Sequence, residues 1–477
     1  MKAKDVVVVG AGQGGLSAAI HLRLKGHRVL VLEASEQTGG KAAQIRRDGY
    51  RLDPGPSIII LTRIYEAVFR AAGRRMEDYL RFTRLDPFTR VYFEGRRPFD
   101  LPASREECLR VIREVSPEDA GAVDKVLGLI DQISPHVDRS IFARPIHKPW
   151  QLLQPDLAAI GVRFDPRKTY KQTIDEWFRS PVLRSFFYGF PSYGGQSFDS
   201  NAPGALMIPY LMIREGVWYP EGGVGAIPRA FTRLAEELGV EFRVGSRVRR
   251  METSGRRIVA AILENGERIE AEVFVSNVDH TTTKSWIRNV PDQEPSLSYF
   301  TVHWGFAGST EGLQHHTLLV PASFEDGFDQ LYRRREFPAE PIVYLNETSG
   351  LDPASAPAGR SNLFAVVTSP AMEAGLDWQS STPEFLRRVR NVMRKFDLEP
   401  REIDFEHIQT PLTFAQRDGN YKGSLYGLDE RHRLFHLVPH GLLDEEYRNL
   451  FYCGGSVQPG AGLPMVTLSG KFVAELV

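Results

Sequence analysis

The chain has 477 residues, of which 42% are hydrophobic and 25% charged, a balance too apolar for a disordered protein and ordinary for a globular one. Lysine and arginine number 59 against 60 acidic residues, so the net charge of −1 gives no reason to expect a nucleic-acid partner. Two cysteines, Cys108 and Cys453, exclude a disulfide framework and fit a reducing, cytoplasmic setting. No signal-peptide core is visible, and the longest strictly apolar run is six residues, Ile258 to Leu263. A spanning helix needs about 20. The chain is therefore expected not to cross a membrane, although it can rest on one.

Asp5 to Val9 is a β-branched run of the kind that a doubly covered parallel strand requires. It leads into Gly10-Ala11-Gly12-Gln13-Gly14-Gly15, which fits Gly-x-Gly-x-x-Gly, and the spacing predicts a helix through Leu16, Ala19, Ile20 and Leu24, stopping at Gly26. A second strand, 28–32, ends in Glu33. Gly10 permits the tight turn, Gly12 lets a pyrophosphate approach the backbone, and Gly15 lets helix and strand pack closely. The helix N-terminus offers unpaired N–H groups to phosphate. Glu33 can accept hydrogen bonds from a ribose 2′-OH and would repel a 2′-phosphate. Strand, helix, strand and acid in register predict dinucleotide binding. After Ala34–Gln37 a third crossover is missing; Thr38-Gly39-Gly40-Lys41 and residues 48–56 read instead as glycine- and proline-punctuated loop. That suits a cofactor longer than NAD.

Farther along, Pro145 to Phe164 mixes Trp150, Leu152, Leu153, Leu157 and Ile160 with Arg144, His147, Lys148 and Arg163, a composition able to rest on an anionic bilayer. Phe186, Phe187, Tyr188, Phe190 and Tyr193, followed by Leu206, Met207, Ile208, Tyr210, Leu211 and Met212, are dense in aromatic and flexible apolar side chains, and with Trp218 they are chosen as the substrate wall. A helix is expected over 225–238 and strands over 241–248, 258–263 and 268–275. Gly460, Gly462 and Pro464 open a last helix through Leu468, Phe472 and Leu476. Its N-terminus is a second site for phosphate.

Gly39-Gly40-Lys41 with Leu52-Asp53-Pro54-Gly55-Pro56-Ser57 resembles the FAD-containing amine-oxidase and phytoene-desaturase superfamily. Val217-Trp218-Tyr219-Pro220-Glu221-Gly222-Gly223, Thr410-Pro411-Leu412 with Gly419-Asn420-Tyr421-Lys422-Gly423-Ser424, and the segment from Phe451 to Pro464 are similar to bacterial carotenoid desaturases. Gly-Gly-Ser at 454–456 and Pro-Met-Val-Thr-Leu-Ser-Gly at 464–470 lean to the hydroxycarotenoid 3,4-desaturase and diapocarotenoid branches. The resemblance spans the chain and has one departure: Gln458 stands where the family usually has His.

The resemblance implies an α/β fold with an α+β insert, built on a Rossmann-like FAD-binding domain of the glutathione-reductase/amine-oxidase type. That domain would be discontinuous (1–95, 217–285 and 440–477) and interleaved with a substrate and membrane-facing domain (96–216 and 286–439). FAD contacts carry over to Gly10, Gly12 and Gly15 at the pyrophosphate, Glu33 at the adenosine ribose, and Gly40 and Lys41 near the pyrophosphate and ribityl chain. Gly55, Pro56 and Ser57 would line the isoalloxazine, Val248 would meet adenine, and Gly455, Ser456 and Met465 would close over the phosphates and ring. The activity implied is desaturation of a long carotenoid by hydride transfer to flavin N5, the electrons leaving to a quinone or O₂, on a cytoplasmic, peripherally membrane-associated enzyme.

No metal motif is present; His315-His316 and His432/His436 are the nearest histidine pairs, and no Gly-x-Ser-x-Gly elbow supports a hydrolase. The cofactor carries the hard step, so no catalytic constellation is required and no general base is named. The alternatives are a polyene isomerase, a terminal-methyl oxygenase, an amine oxidase, or a non-enzymatic prenyl-lipid binder of the Rab-escort kind. The intact glycine loop and Glu33 argue against the last.

Overall fold

The computed structural model describes all residues except 1, 166, 195, 201–202, 309–310, 374 and 430–440. It is a two-domain α/β structure with a helical insert. Asp5–Val9 and Arg28–Leu32 form the centre of a five-stranded parallel sheet, flanked by Val273–Ser276 and Leu450–Tyr452 on one side and Glu241–Arg243 on the other. Each flanking strand comes from a distant part of the sequence. The helix Gln13–Leu24 lies on this sheet with Ala226–Glu237 and Leu463–Leu476 packed beside it. Contact with the last helix is tight: Gln13 Nε2 donates to Thr467 Oγ1 at 3.1 Å, and a Cβ at Gly470 would strike the Gly14 carbonyl and lie 2.6 Å from Ala18 N.

The second sheet has seven strands, ordered Ile403–Gln409, Ser298–Ala307, Arg360–Ser369, Val343–Glu347, His316–Val320, Thr89–Phe93 and Phe99–Leu101. Side chains alternate across it with period two. Phe300, Val302 and Trp304 with Leu363, Ala365 and Val367 pack against the helix Trp378–Lys395. Tyr299, Thr301, Phe364, Val366, Thr368, Tyr344 and Leu318 point the other way, into the molecule's large cavity. Helices Arg105–Val115, Ala120–Arg139, Pro155–Gly161, Tyr170–Trp177, Pro181–Tyr188 and Met207–Glu215 lie in the insert that faces them.

Four sequence expectations change. Residues 48–56 are not all loop: Ile45–Arg47 and Tyr50–Leu52 form a hairpin, closed by Asp48 and Gly49 at φ 50° and 84°. Asp-Gly at positive φ is the sequence signature of a two-residue hairpin turn. The strand expected over 268–275 divides into Arg268–Glu270, in a three-stranded antiparallel sheet, and Val273–Ser276, in the parallel sheet. The one expected over 241–248 breaks at Gly245, where φ is +61°. Thr89–Phe93, placed before the boundary at 95, pairs in parallel with His316–Val320 in the seven-stranded sheet.

Candidate functional site

Both uncapped helix N-termini, of Gln13–Leu24 and Leu463–Leu476, open on one cavity of about 750 Å³. That volume is in the range of cofactor and small-molecule sites. Around the first, Gly10 takes φ +97°. A Cβ on Gly12 would lie 2.6 Å from Asn277 Nδ2 and one on Gly14 2.5 Å from Asn277 Oδ1, while one on Gly15 would run into the Gly10 carbonyl. Gly12 and Gly14 line the cavity; Gly15 does not, and serves helix–strand packing. Asn277 was missed by sequence reasoning. The available signal was its place just after a central parallel strand, where open α/β sheets carry their ligand-binding groups.

Glu33 lies on the cavity wall, buried, with Oε2 accepting from Ala11 N at 2.7 Å and Oε1 from Ser35 N at 2.9 Å. A carboxylate has about four acceptor positions, so capacity for a ribose hydroxyl remains. Ser246 N donates to the Glu33 carbonyl at 2.7 Å, and this brings Val248 into the same wall. The turn Gly40–Ala42 leans on the glycine loop through the Gly12–Gly39 bridge, and Gly55 rests on the Lys41 backbone, where a Cβ would overlap the Lys41 carbonyl. Gly40, Lys41, Gly55, Pro56 and Ser57 all line the cavity, as do Gly455, Ser456 and Met465. Ser456 Oγ accepts from His280 N at 3.0 Å.

The polar part of the wall is charged. Burial pushes the Lys41 ammonium below its ordinary value, opposed by the Asp418 and Asp279 carboxylates. Burial pushes Asp279 up, opposed by the Thr281 and Thr282 N–H groups and Lys41. A desolvated cation and two helix N-termini around one space are a donor set suited to an anionic diphosphate. Gly460 and Gly462, at φ +120° and +100°, have nothing within 4 Å of a would-be Cβ, so the loop before the last helix leaves room for a ligand. The residues present fit FAD.

The proposed substrate residues divide. Phe190, Tyr193 and Met207 line the cavity, with Phe186, Ile208, Leu211 and Met212. Phe187, Tyr188, Tyr210 and Trp218 do not. The helix Pro181–Tyr188 turns about 100° per residue, so presenting Phe186 sends Phe187 onto Phe178, stacked at 4.8 Å, and Tyr188 onto Phe198 and Phe328, its hydroxyl bonded to Asp175. Tyr210 turns its hydroxyl to Asp131 and Arg214, and the Trp218 indole donates to the Glu215 carbonyl at 3.1 Å. The missed lining comes from the sheet floor and from Ile133, Val137, Phe142, Ile160 and Phe164.

Trp150, Leu153 and Val162 are 64%, 82% and 80% exposed beside Arg144 and Lys148, while Ile160 and Phe164 of the same stretch face the cavity. Gln458 is buried outside the cavity lining, its Oε1 accepting from Ile146 N at 3.1 Å. It ties the glycine-rich terminal loop to that exposed stretch. Among the described residues no helix is long and apolar enough to cross a membrane, and no cluster of three His, Cys, Asp or Glu is placed to hold a metal. His315 and His316 hydrogen-bond the Glu347 carbonyl and the Tyr344 hydroxyl; His432 and His436 lie outside the described residues.

A parallel sheet with a glycine cradle, a buried acid after its second strand and a second helix N-terminus has the architecture of the dinucleotide-binding folds. The family described as flavin containing amine oxidoreductase matches residues 14–477, and the chain belongs to it. Over 488 residues it is 30% identical to 4,4'-diapolycopene oxygenase of Methylomonas sp, covering 99% of this chain and 97% of that one. It is 28% identical to 4,4'-diaponeurosporene oxygenase of Staphylococcus aureus, strain USA300, with 99% and 98% covered. Among solved structures, an oxidoreductase from Methanosarcina mazei superposes with a TM-score of 0.67 at 16% identity, covering 99% of this chain and all of that one. The chain is thus a flavin-dependent oxidoreductase of the branch that holds the bacterial carotenoid and diapocarotenoid enzymes.

Proposed function

We propose that the protein binds FAD and oxidises a long isoprenoid polyene, extending its conjugation by desaturation. The observation that carries this reading is the single cavity running from the glycine cradle to a wall of Phe186, Phe190, Met207, Leu211 and Phe364. When bound, FAD supplies the acceptor for the hydride that leaves an allylic carbon; a quinone or O₂ then takes the electrons. Gly12, Gly14 and Asn277 shape the diphosphate cradle, Glu33 holds the ribose, and Lys41 offsets the diphosphate charge. The apolar wall aligns the polyene and excludes water. The exposed stretch around Trp150 meets the membrane in which such a substrate dissolves.

A second reading is favoured by the names of the two relatives, both oxygenases: insertion of oxygen into the polyene. One assay separates the two. FAD-loaded protein is offered phytoene, neurosporene, a hydroxylated acyclic carotenoid and a diapocarotene in liposomes, with a quinone and O₂. Desaturation is expected as a red-shifted product lighter by two hydrogens per step. Gain of oxygen establishes the second reading, and an unchanged mass with an altered spectrum an isomerase. Flavin reduced by amines and by no polyene overturns the proposal.

A further inference from the structure

The cavity floor carries one polar feature backed by a base. Ser57 Oγ lies 2.7 Å from the Tyr344 hydroxyl, and both residues line the cavity. Behind Ser57, on the same face of the sheet, the Tyr344 hydroxyl lies 2.6 Å from His316 Nδ1. His316, on the neighbouring strand, is 1% exposed. Its ring abuts His315, with centroids 4.5 Å apart. His315 is fixed in turn: Nδ1 donates to the Glu347 carbonyl at 2.6 Å, which leaves Nε2 to accept from Asn346 Nδ2 at 3.1 Å. Sheet pairing explains the alignment. Leu318 sits opposite Tyr344 and His316 opposite Asn346, so Tyr344, His316 and Asn346 share the cavity-facing side of two adjacent strands.

We infer that Ser57, Tyr344 and His316 form a proton relay that takes up the proton released when the polyene is oxidised, with His316 in the Nε2–H tautomer as the terminal acceptor. The inference rests on the function proposed above. Loss of a hydride leaves a polyene cation, and the new double bond forms only when an adjacent C–H bond breaks and its electron pair becomes the π bond. The released proton passes to Ser57 Oγ as the Ser57 proton moves to the Tyr344 oxygen and the Tyr344 proton to His316 Nδ1. His316 returns it by the reverse path once product has left. Burial holds the imidazole well below its ordinary value, so it rests neutral, with a lone pair to offer. A base so weakened still suffices, because a C–H bond beside a carbocation is a very strong acid. Ser57 and Tyr344 face the substrate; His316 acts through Tyr344 and is a positioning residue.

Two measurements test the relay. In ¹⁵N-histidine-labelled wild-type protein, NMR should show His316 Nδ1 unprotonated and hydrogen-bonded, with its signal moving toward a free imidazole nitrogen in Tyr344→Phe. A proton resident on Nδ1 overturns the proposal without any assay of turnover. In the FAD-loaded enzyme, Tyr344→Phe and His316→Gln should each lower kcat by about 100-fold, at the lower end of proton-transfer effects. KM and flavin content should stay within about twofold. A substrate deuterated at the carbon that loses the proton should show a larger isotope effect on kcat in both variants. Variants that turn over at the wild-type rate, or whose loss follows their flavin content, overturn the relay. A wild-type enzyme inert to every polyene overturns the function itself.

Discussion

Replacing single atoms at the glycine loop separates its two physical jobs. At Gly15 a methyl group meets the backbone carbonyl of Gly10, which cannot move without shifting the strand end. At Gly12 it meets the amide end of Asn277, a side chain that can rotate away. Gly15→Ala should therefore cost about 1–3 kcal/mol of stability, as overpacking does. Gly12→Ala should cost less than that and reveal itself instead in lowered flavin retention. Urea midpoints of the flavin-free proteins and the flavin absorbance per chain after reconstitution measure the two effects; equal midpoints would refute the distinction. The glycines were legible because a residue without a side chain at fixed spacing has few other uses. Asn277 was not, because one asparagine after a strand makes no pattern until the fold brings it to the loop.

Whole elements were legible where their periodicity was strong and local. The β-branched run 5–9 and the helix that ends before Gly26 followed from chemistry within a few residues. The wall of the cavity did not. An aromatic-rich stretch says that side chains are buried, and only the rotation of Pro181–Tyr188 against its neighbours decides that Phe186 faces the cavity while Phe187 meets Phe178. The stretch 145–164 is the converse case, since its basic and apolar composition coincides with exposed Trp150, Leu153 and Val162. Burying one such side chain stabilises by about 1.5–3 kcal/mol, and each nearby Arg or Lys adds about 1 kcal/mol on an anionic surface. Flotation with anionic liposomes should recover the wild-type protein with lipid. Substituting Trp150→Ser, Leu153→Ser and Val162→Ser together should abolish most of that recovery and leave flavin content intact. A triple variant that floats like wild type would place the contact elsewhere.

At the scale of the molecule, the return of Leu450–Tyr452 to the first parallel sheet was readable from motifs late in the chain, whereas the pairing of Thr89–Phe93 with His316–Val320 was not, because parallel pairing across more than two hundred residues leaves no local trace. Large buried interiors also set acid stability. Burial pushes His303 down to about 3 and His315 and His21 down to about 4. Their folded values lie below the unfolded value near 6.5, so the unfolded chain binds the extra protons. Stability is complete above about pH 6.5 and falls as the medium is acidified toward pH 4, by about 1.4 kcal/mol per pH unit for each proton taken up. Urea midpoints between pH 7.5 and 4.5 should follow that slope, and His303→Phe should flatten it. A midpoint independent of pH over this range would contradict the burial of these rings.

The packing of Gln13 against Thr467 joins positions 454 residues apart. On a ribosome adding about 5–20 residues per second, the first helix is made about 20 to 90 seconds before the helix that covers it. Through that interval the face that will meet it, Gln13, Gly14, Ser17 and Ala18, waits without its final neighbour. The nascent chain thus carries an unfinished nucleotide fold while everything between the two helices is made, and the cradle closes only after Leu463–Leu476 has emerged.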